Sequence, residues 1–327
     1  MPTYAEAFDQ TLETLEASEP MAAVLRRAFT EIATEWAQVD LRDPLPFSSG
    51  VCSDGSPLEM SLRVRTDGRR SLRFIAQPCD PERASEHRAP WEASRARSFL
   101  ARWGGPESLE HLDAALALYP TGPDPTFTGN FRFWLGLAAD EEGQPAAKLY
   151  FNPWACLPDS RGALALHVLS AAGNPPVPLE RLLPWLRPDV GATPHIVGWN
   201  VVGDRIGPVK LYLQAVFGAH TLAEVAPAAW TAWRRLRPEA PVVSMRPRGE
   251  VHLALVQGPR GEDLTRLNLF CPDWFRSDED VVEALRVRSP GAATVLSRLL
   301  ETPCRVGRRI NFVALDPDSV TAYMKVG

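Results

Sequence analysis

Two segments of the chain place a lysine and a tyrosine two positions apart. Lys148-Leu149-Tyr150-Phe151-Asn152-Pro153 has the aromatic and aliphatic character of a short β-strand, closed by a proline. Side chains alternate across a strand, so Lys148 and Tyr150 share one face. An ammonium beside a phenol suits an anionic ligand better than a hydrophobic core. The pattern returns in Lys210-Leu211-Tyr212-Leu213, changes to Asn268-Leu269-Phe270-Cys271-Pro272, and returns loosely in Thr321-Ala322-Tyr323-Met324-Lys325. A recurrence at roughly 60 residues signals a repeat architecture.

The elements around these strands repeat as well. Residues 4–37 carry apolar positions at helical spacing (Phe8, Leu12, Leu15, then Ala22, Leu25, Phe29), with Pro20 dividing two helices. A first hairpin pairs 57–64 with 71–78 across Thr66-Asp67-Gly68-Arg69, a strong turn signal. Helices at 90–103 and 107–118 lead to a second pair, 131–137 with 147–152. Helices at 160–172 and 178–186 lead to a third, 195–203 with 209–215. A helix at 221–236 precedes the fourth, 251–257 with 264–271, turning through Gly258-Pro259-Arg260-Gly261. Helices at 278–287 and 292–301 precede the last, 308–315 with 319–326. The acidic run Ser277-Asp278-Glu279-Asp280 reads as a helix N-terminus rather than a magnesium motif.

Five hairpins separated by helices predict an α+β fold. Its centre is a closed antiparallel β-barrel of ten strands with the helices outside, since closure removes exposed strand edges. Residues 1–327 form one domain in this reading: N-terminal helices over 1–50 and repeats over 51–327. Ten strands leave a lumen wide enough for small ligands. Lysine is almost never buried without a partner, so the Lys and Tyr faces belong in the lumen, not under the helices.

The 327 residues are 45% hydrophobic and 23% charged, an ordinary globular composition. A net charge of −5 gives no support to nucleic-acid binding. No apolar run reaches the length of a membrane span, and the first residues lack the pattern of a signal peptide. Cys52, Cys79, Cys156, Cys271 and Cys304 are scattered and suggest neither a disulfide framework nor a zinc site. A cytoplasmic protein, monomeric or weakly dimeric, is expected. The histidines at 87, 111, 167, 220 and 252 show no ligand spacing.

From about residue 50 onward the chain resembles the aromatic prenyltransferases of the ααββ-repeat barrel, of the dimethylallyltryptophan synthase type. The resemblance rests on the repeat plan, on Ser56-Pro57-Leu58-Glu59, on Arg73, and on the Lys-x-Tyr strands at 148–150 and 210–212. It implies transfer of a dimethylallyl group from dimethylallyl diphosphate to an electron-rich ring, most readily the indole of tryptophan or of a tryptophan-containing peptide. A macrocyclic peptide or a phenol or naphthol would be alternative acceptors. A barrel that only binds a lipid or an anion is the non-enzymatic alternative; it would need neither a tyrosine belt nor an acid beside the cations. The prenyl diphosphate would be a co-substrate, with no obligatory cofactor and no requirement for Mg2+.

The resemblance also assigns roles. Arg73, Lys148 and Lys210 would hold the diphosphate, and Tyr150, Tyr212 and Tyr323 would shield the allyl group. Pro208 stands where the family often has an arginine, so Arg205 or Arg266 would supply that charge, with Asn268 nearby. Phe270 stands where the fourth strand often has tyrosine; it keeps the ring face without the hydroxyl. Glu59 has two readings: a salt-bridge partner of Arg63 or Arg73, or, as the resemblance implies, the acceptor of the indole N–H, raising ring nucleophilicity and helping later proton loss. Trp134, His195 and Trp199 would line the acceptor pocket or pack outward against helices.

Overall fold

Alternation along the strands decides the architecture. In β1 (Leu58–Arg65), Leu58, Met60, Leu62 and Val64 are buried in the main hydrophobic core, while Glu59, Ser61, Arg63 and Arg65 take the other face. The same division runs through β2 (Arg70–Ala76), β3 (Phe133–Asp140), β4 (Pro145–Phe151), β5 (Thr193–Val202) and β6 (Val209–Phe217). It continues through β7 (Gly249–Gln257), β8 (Asp263–Phe270), β9 (Ile310–Asp316) and β10 (Ser319–Lys325). A computed structural model describes residues 2–41, 43, 49–52, 55–78, 85–117, 131–156, 158–173, 191–217, 223–224, 231, 249–257, 263–301, 308–316 and 318–326.

Every strand pairs antiparallel with its neighbours, in the order β4-β3-β2-β1-β10-β9-β8-β7-β6-β5. Pairing of β4 with β5, from Ala147↔Val201 to Phe151↔Val197, closes the ring. The result is a closed ten-stranded barrel. Arg205–Ile206 adds a two-residue bridge at the tip of the β5–β6 hairpin. The apolar face of each strand points outward, beneath helices. The polar face points into the lumen.

Eight α-helices lie among the described residues. α1 (Tyr4–Thr14) starts at Thr3, whose hydroxyl accepts from the Glu6 N–H while the Glu6 carboxylate accepts from the Thr3 N–H. α2 (Glu19–Ile32) starts at Ser18 with Pro20 in its first turn, so that proline opens the second helix instead of only separating two. The helical pattern expected as far as residue 37 stops at Ile32. Trp36 is fully buried beyond it and donates its indole N–H to Gln77 O at 3.0 Å. α3 (Ser85–Trp103), α4 (Pro106–Leu116) and α5 (Pro158–Ala171) follow. The short α6 (Cys271–Trp274) is followed by α7 (Asp278–Arg288) and α8 (Pro290–Glu301). The helix expected at 178–186, nearly all of that at 221–236, and the turn at 258–261 lie outside the described residues.

The five hairpin tips gather at one end of the barrel. The other end holds the junctions from strand to helix. The lumen therefore has two ends of different origin, and each inward residue is placed along it by its position in its strand.

Candidate active site

Toward the hairpin tips the lumen is cationic. Lys148 in β4 lies opposite Gly136 and Asn200, and its ammonium donates to Asn200 Oδ1 at 2.6 Å. Lys210 in β6 lies opposite Gly198. Arg266 in β8 donates to Thr321 Oγ1 at 2.6 Å and lies 3.5 Å from Asp316 Oδ1. Arg63 in β1 donates to Ser319 Oγ at 3.0 Å. Burial pushes Lys148 down to about 7, and the charges of Arg73, Arg63 and Arg266 push the same way. Burial likewise holds Lys210 well below its ordinary value, reinforced by Arg266, Lys148 and Arg73, with Asp316 opposing. Cations gathered at this cost are what a multiply charged anion would relieve.

A ring of phenols lies above them. Tyr150, Tyr212 and Tyr323 are all buried, from β4, β6 and β10. Arg73 in β2 ties the layers together. It donates to Ser61 Oγ at 3.0 Å and to Tyr150 OH at 2.8 Å, and its guanidinium carbon lies 4.8 Å from the Tyr323 ring centre. Burial drives Tyr150 up to about 12 and Tyr212 well above 10, so both phenols are neutral donors near pH 7. Gly198 leaves room for this belt: a Cβ there would stand 3.2 Å from Tyr150 and 3.3 Å from Tyr212.

Toward the strand–helix junctions the lumen opens into a cavity of about 290 Å³, near the lower end of the range for ligand pockets. Glu59, Trp134, His195, His252, Asn268, Phe270, Asn311 and Phe312 are among the residues that line it. Glu59 is buried and its Oε2 accepts from Asn311 Nδ2 at 3.1 Å. Among the buried polar atoms around this cavity that have no hydrogen-bond partner among the described residues are Arg73 Nη2, Trp134 Nε1, His195 Nδ1, Asn268 Oδ1 and Tyr323 OH. Buried polar groups are nearly always paired, so their gathering around one cavity marks a ligand site.

The structure thus brings together Glu59, Arg73, Lys148, Lys210 and Arg266 with Tyr150, Tyr212 and Tyr323 in one lumen. Phe270 and Asn268 line the cavity, and Asn268 Nδ2 is engaged by His252 O at 3.2 Å. Trp134 and His195 face the cavity too. Two expectations fail. Trp199 is fully buried in the outer core, its ring 4.7 Å from Phe151, because it neighbours the inward Gly198 and Asn200 and so takes the opposite face. Arg205 is exposed on the hairpin-tip bridge and is not among the charges acting on Lys148 or Lys210; Arg266, not Arg205, joins the lysines. The salt-bridge reading of Glu59 also loses Arg73, whose guanidinium turns to Ser61 and Tyr150.

Several residues to which the sequence reading assigns no place in the lumen lie there. Arg63, Asn311, Glu250, His252 and Phe312 all face inward. The signal was present for Arg63, which is two and four positions from Ser61 and Glu59 on one strand face.

No protein-family model matches the chain, and no curated protein matches it either. Among solved structures it is similar over its whole length to 6-dimethylallyltryptophan synthase from Micromonospora olivasterospora in complex with DMASPP and Trp. The identity is 19%, the TM-score 0.78, and the match covers 100% of this chain and 98% of that one. The 5-dimethylallyltryptophan synthase from Streptomyces coelicolor matches with 18% identity and a TM-score of 0.73, covering 99% and 97%. The ternary complex of prenyltransferase PriB with L-tryptophan and dimethylallyl thiolodiphosphate matches with 20% identity and a TM-score of 0.75, covering 98% and 94%. At these identities the likeness is one of fold: the chain has the helix-wrapped ten-stranded barrel of these aromatic prenyltransferases.

Proposed function

We propose that the chain is an aromatic prenyltransferase that moves a dimethylallyl group from dimethylallyl diphosphate to an indole in the barrel lumen. One observation carries the reading: Arg73, Lys148, Lys210 and Arg266 converge beneath a belt of three tyrosines, which borders a cavity holding a buried carboxylate. The cations offset the charge that grows on the diphosphate as its C–O bond breaks. The tyrosine faces stabilise the allylic cation, and the closed wall keeps water from it. Glu59, fixed by Asn311, accepts the indole N–H. Tryptophan or a tryptophan-containing peptide is the favoured acceptor class, since a carboxylate that accepts the indole N–H raises the nucleophilicity of the ring. Appearance of free diphosphate that requires both the donor and an indole tests the reading; release that ignores the indole contradicts it.

The protein's own cations replace a metal in this mechanism. Turnover is expected to persist in excess chelator. Complete loss, restored by magnesium alone, would contradict the assignment.

The lysines make binding sensitive to pH. An anion favours the charged ammonium, so binding requires proton uptake once pH exceeds the free value of Lys148, about 7. Affinity for the diphosphate is expected to be greatest below that value and to fall as pH rises, by up to about tenfold per pH unit for each lysine involved. The ligand's own last ionisation, near pH 6, is largely complete in this window. Calorimetric titration between pH 7 and 9 measures the slope, and Lys148→Arg should flatten it by one proton's share. A slope of zero in the native chain would contradict the lysine contact.

A further inference from the structure

The proposed transfer leaves one proton unaccounted for. The C–O bond to diphosphate breaks, a C–C bond forms between the allylic carbon and a ring carbon, and the ring becomes cationic. To restore aromaticity, the C–H bond at that carbon must break; its electron pair returns to the ring and its proton goes to a base. Glu59, holding the indole N–H, is already engaged.

Besides Glu59, Cys52, Arg73 and the tyrosine belt, the titratable groups lining the acceptor cavity are Glu250, His195 and His252. His195 is a poor base. Burial, the neighbouring His252 and the Arg161 guanidinium hold it well below its ordinary value. His252 is differently placed. Its Nε2 lies 2.7 Å from Glu250 Oε1. Burial acts to raise the Glu250 carboxyl, but hydrogen bonds from His252 and Gln214 overcome it and keep the group ionised. A carboxylate only accepts hydrogen bonds, so Nε2 carries the proton and a neutral His252 offers Nδ1 as the basic atom.

This pair is rigidly held. The Glu250 N–H donates to Asp273 Oδ2 at 2.9 Å, and its carbonyl accepts from Trp274 Nε1 at 2.8 Å, both from α6. The His252 ring rests between His195 and Phe312, with ring centres 4.7 and 4.8 Å away. Its backbone carbonyl accepts from Asn268. A base needs this kind of support, with its own partner fixed, and His252 lines the acceptor cavity.

We propose that His252, oriented by Glu250, accepts the proton lost from the prenylated ring carbon. The imidazolium so formed is stabilised by the Glu250 carboxylate, and solvent takes the proton after product leaves. The inference rests on the transfer reading above.

The test compares an indole acceptor with the same acceptor deuterated on its ring carbons, using the full chain and dimethylallyl diphosphate. With the base in place C–H cleavage should be fast, so the isotope is expected to have little effect in the native protein. His252→Gln keeps a polar side chain of similar size but removes the base. It should lower kcat by about 10²–10⁴-fold and bring out a primary isotope effect, because C–H cleavage now limits. Glu250→Gln should show the same signature with a smaller loss, and it decides the matter if the first variant does not fold. Native kcat in His252→Gln, or a slower rate without an isotope effect in the folded variants, would overturn the proposal. Absence of transfer by the native protein would instead remove the transfer reading, and this base with it.

Discussion

Replacing Glu59 with glutamine is expected to lower kcat by about 10²–10⁴-fold while leaving affinity for the isoprenyl diphosphate nearly unchanged. Glutamine keeps the size of the side chain and can still accept the indole N–H through its carbonyl. Charge-assisted hydrogen bonds are roughly twice as strong as neutral ones, so ring activation suffers. The diphosphate end of the lumen lies beyond the tyrosine belt, and removing an acid from the acceptor end does not weaken anion binding there. Asn311 can rotate its amide to meet the new side chain, which limits the loss of fold stability. Turnover, diphosphate affinity and thermal midpoint measured on one sample separate the alternatives. A lowered midpoint with native turnover per folded molecule would make Glu59 a structural acid and remove the indole assignment.

Lys148→Ala and Lys210→Ala should each weaken diphosphate binding by about 1.5–3 kcal/mol, the range for hydrogen bonds to a charged group. That is roughly a 10- to 150-fold rise in Kd. The empty barrel bears the mutual repulsion of Lys148, Lys210, Arg73 and Arg266, so neither substitution should destabilise the unliganded chain. The ligand-induced rise in Tm should shrink in both variants, while the unliganded Tm stays level or rises. An unchanged Kd in both would place the anion elsewhere.

Much of this was legible in the chain. Hairpin spacing and turn residues such as Gly68, which adopts φ 85°, predict five hairpins, and the two Lys-x-Tyr strands place Lys148, Tyr150, Lys210 and Tyr212 in the lumen. Side-chain alternation then carried Arg73 and Glu59 inward. What failed, failed through phase. Trp134 and Trp199 read alike in sequence, yet a strand face is fixed only by register, and β5 is irregular between Pro194 and Ile196. Starting the seventh strand at residue 251 left out Glu250, and His252 without it looks like an isolated histidine. Asn311 sits at the matching irregularity of β9, between Ile310 and Phe312, where alternation no longer predicts direction. Arg205 drew attention for its charge alone; the two-residue bridge that carries it out of the barrel has no sequence signature. Acceptor identity depends on shapes within the cavity, which no pattern of residue types encodes.

The most direct test of transfer in the lumen is product mass. The chain would be incubated with dimethylallyl diphosphate and a panel of tryptophan, tryptophan-containing peptides, cyclic dipeptides and naphthols. A gain of one dimethylallyl group on an indole member, abolished by Lys148→Ala with Lys210→Ala combined, is the predicted result. Tight binding of the diphosphate with no mass gain on any acceptor would contradict it and leave a barrel that only binds the anion.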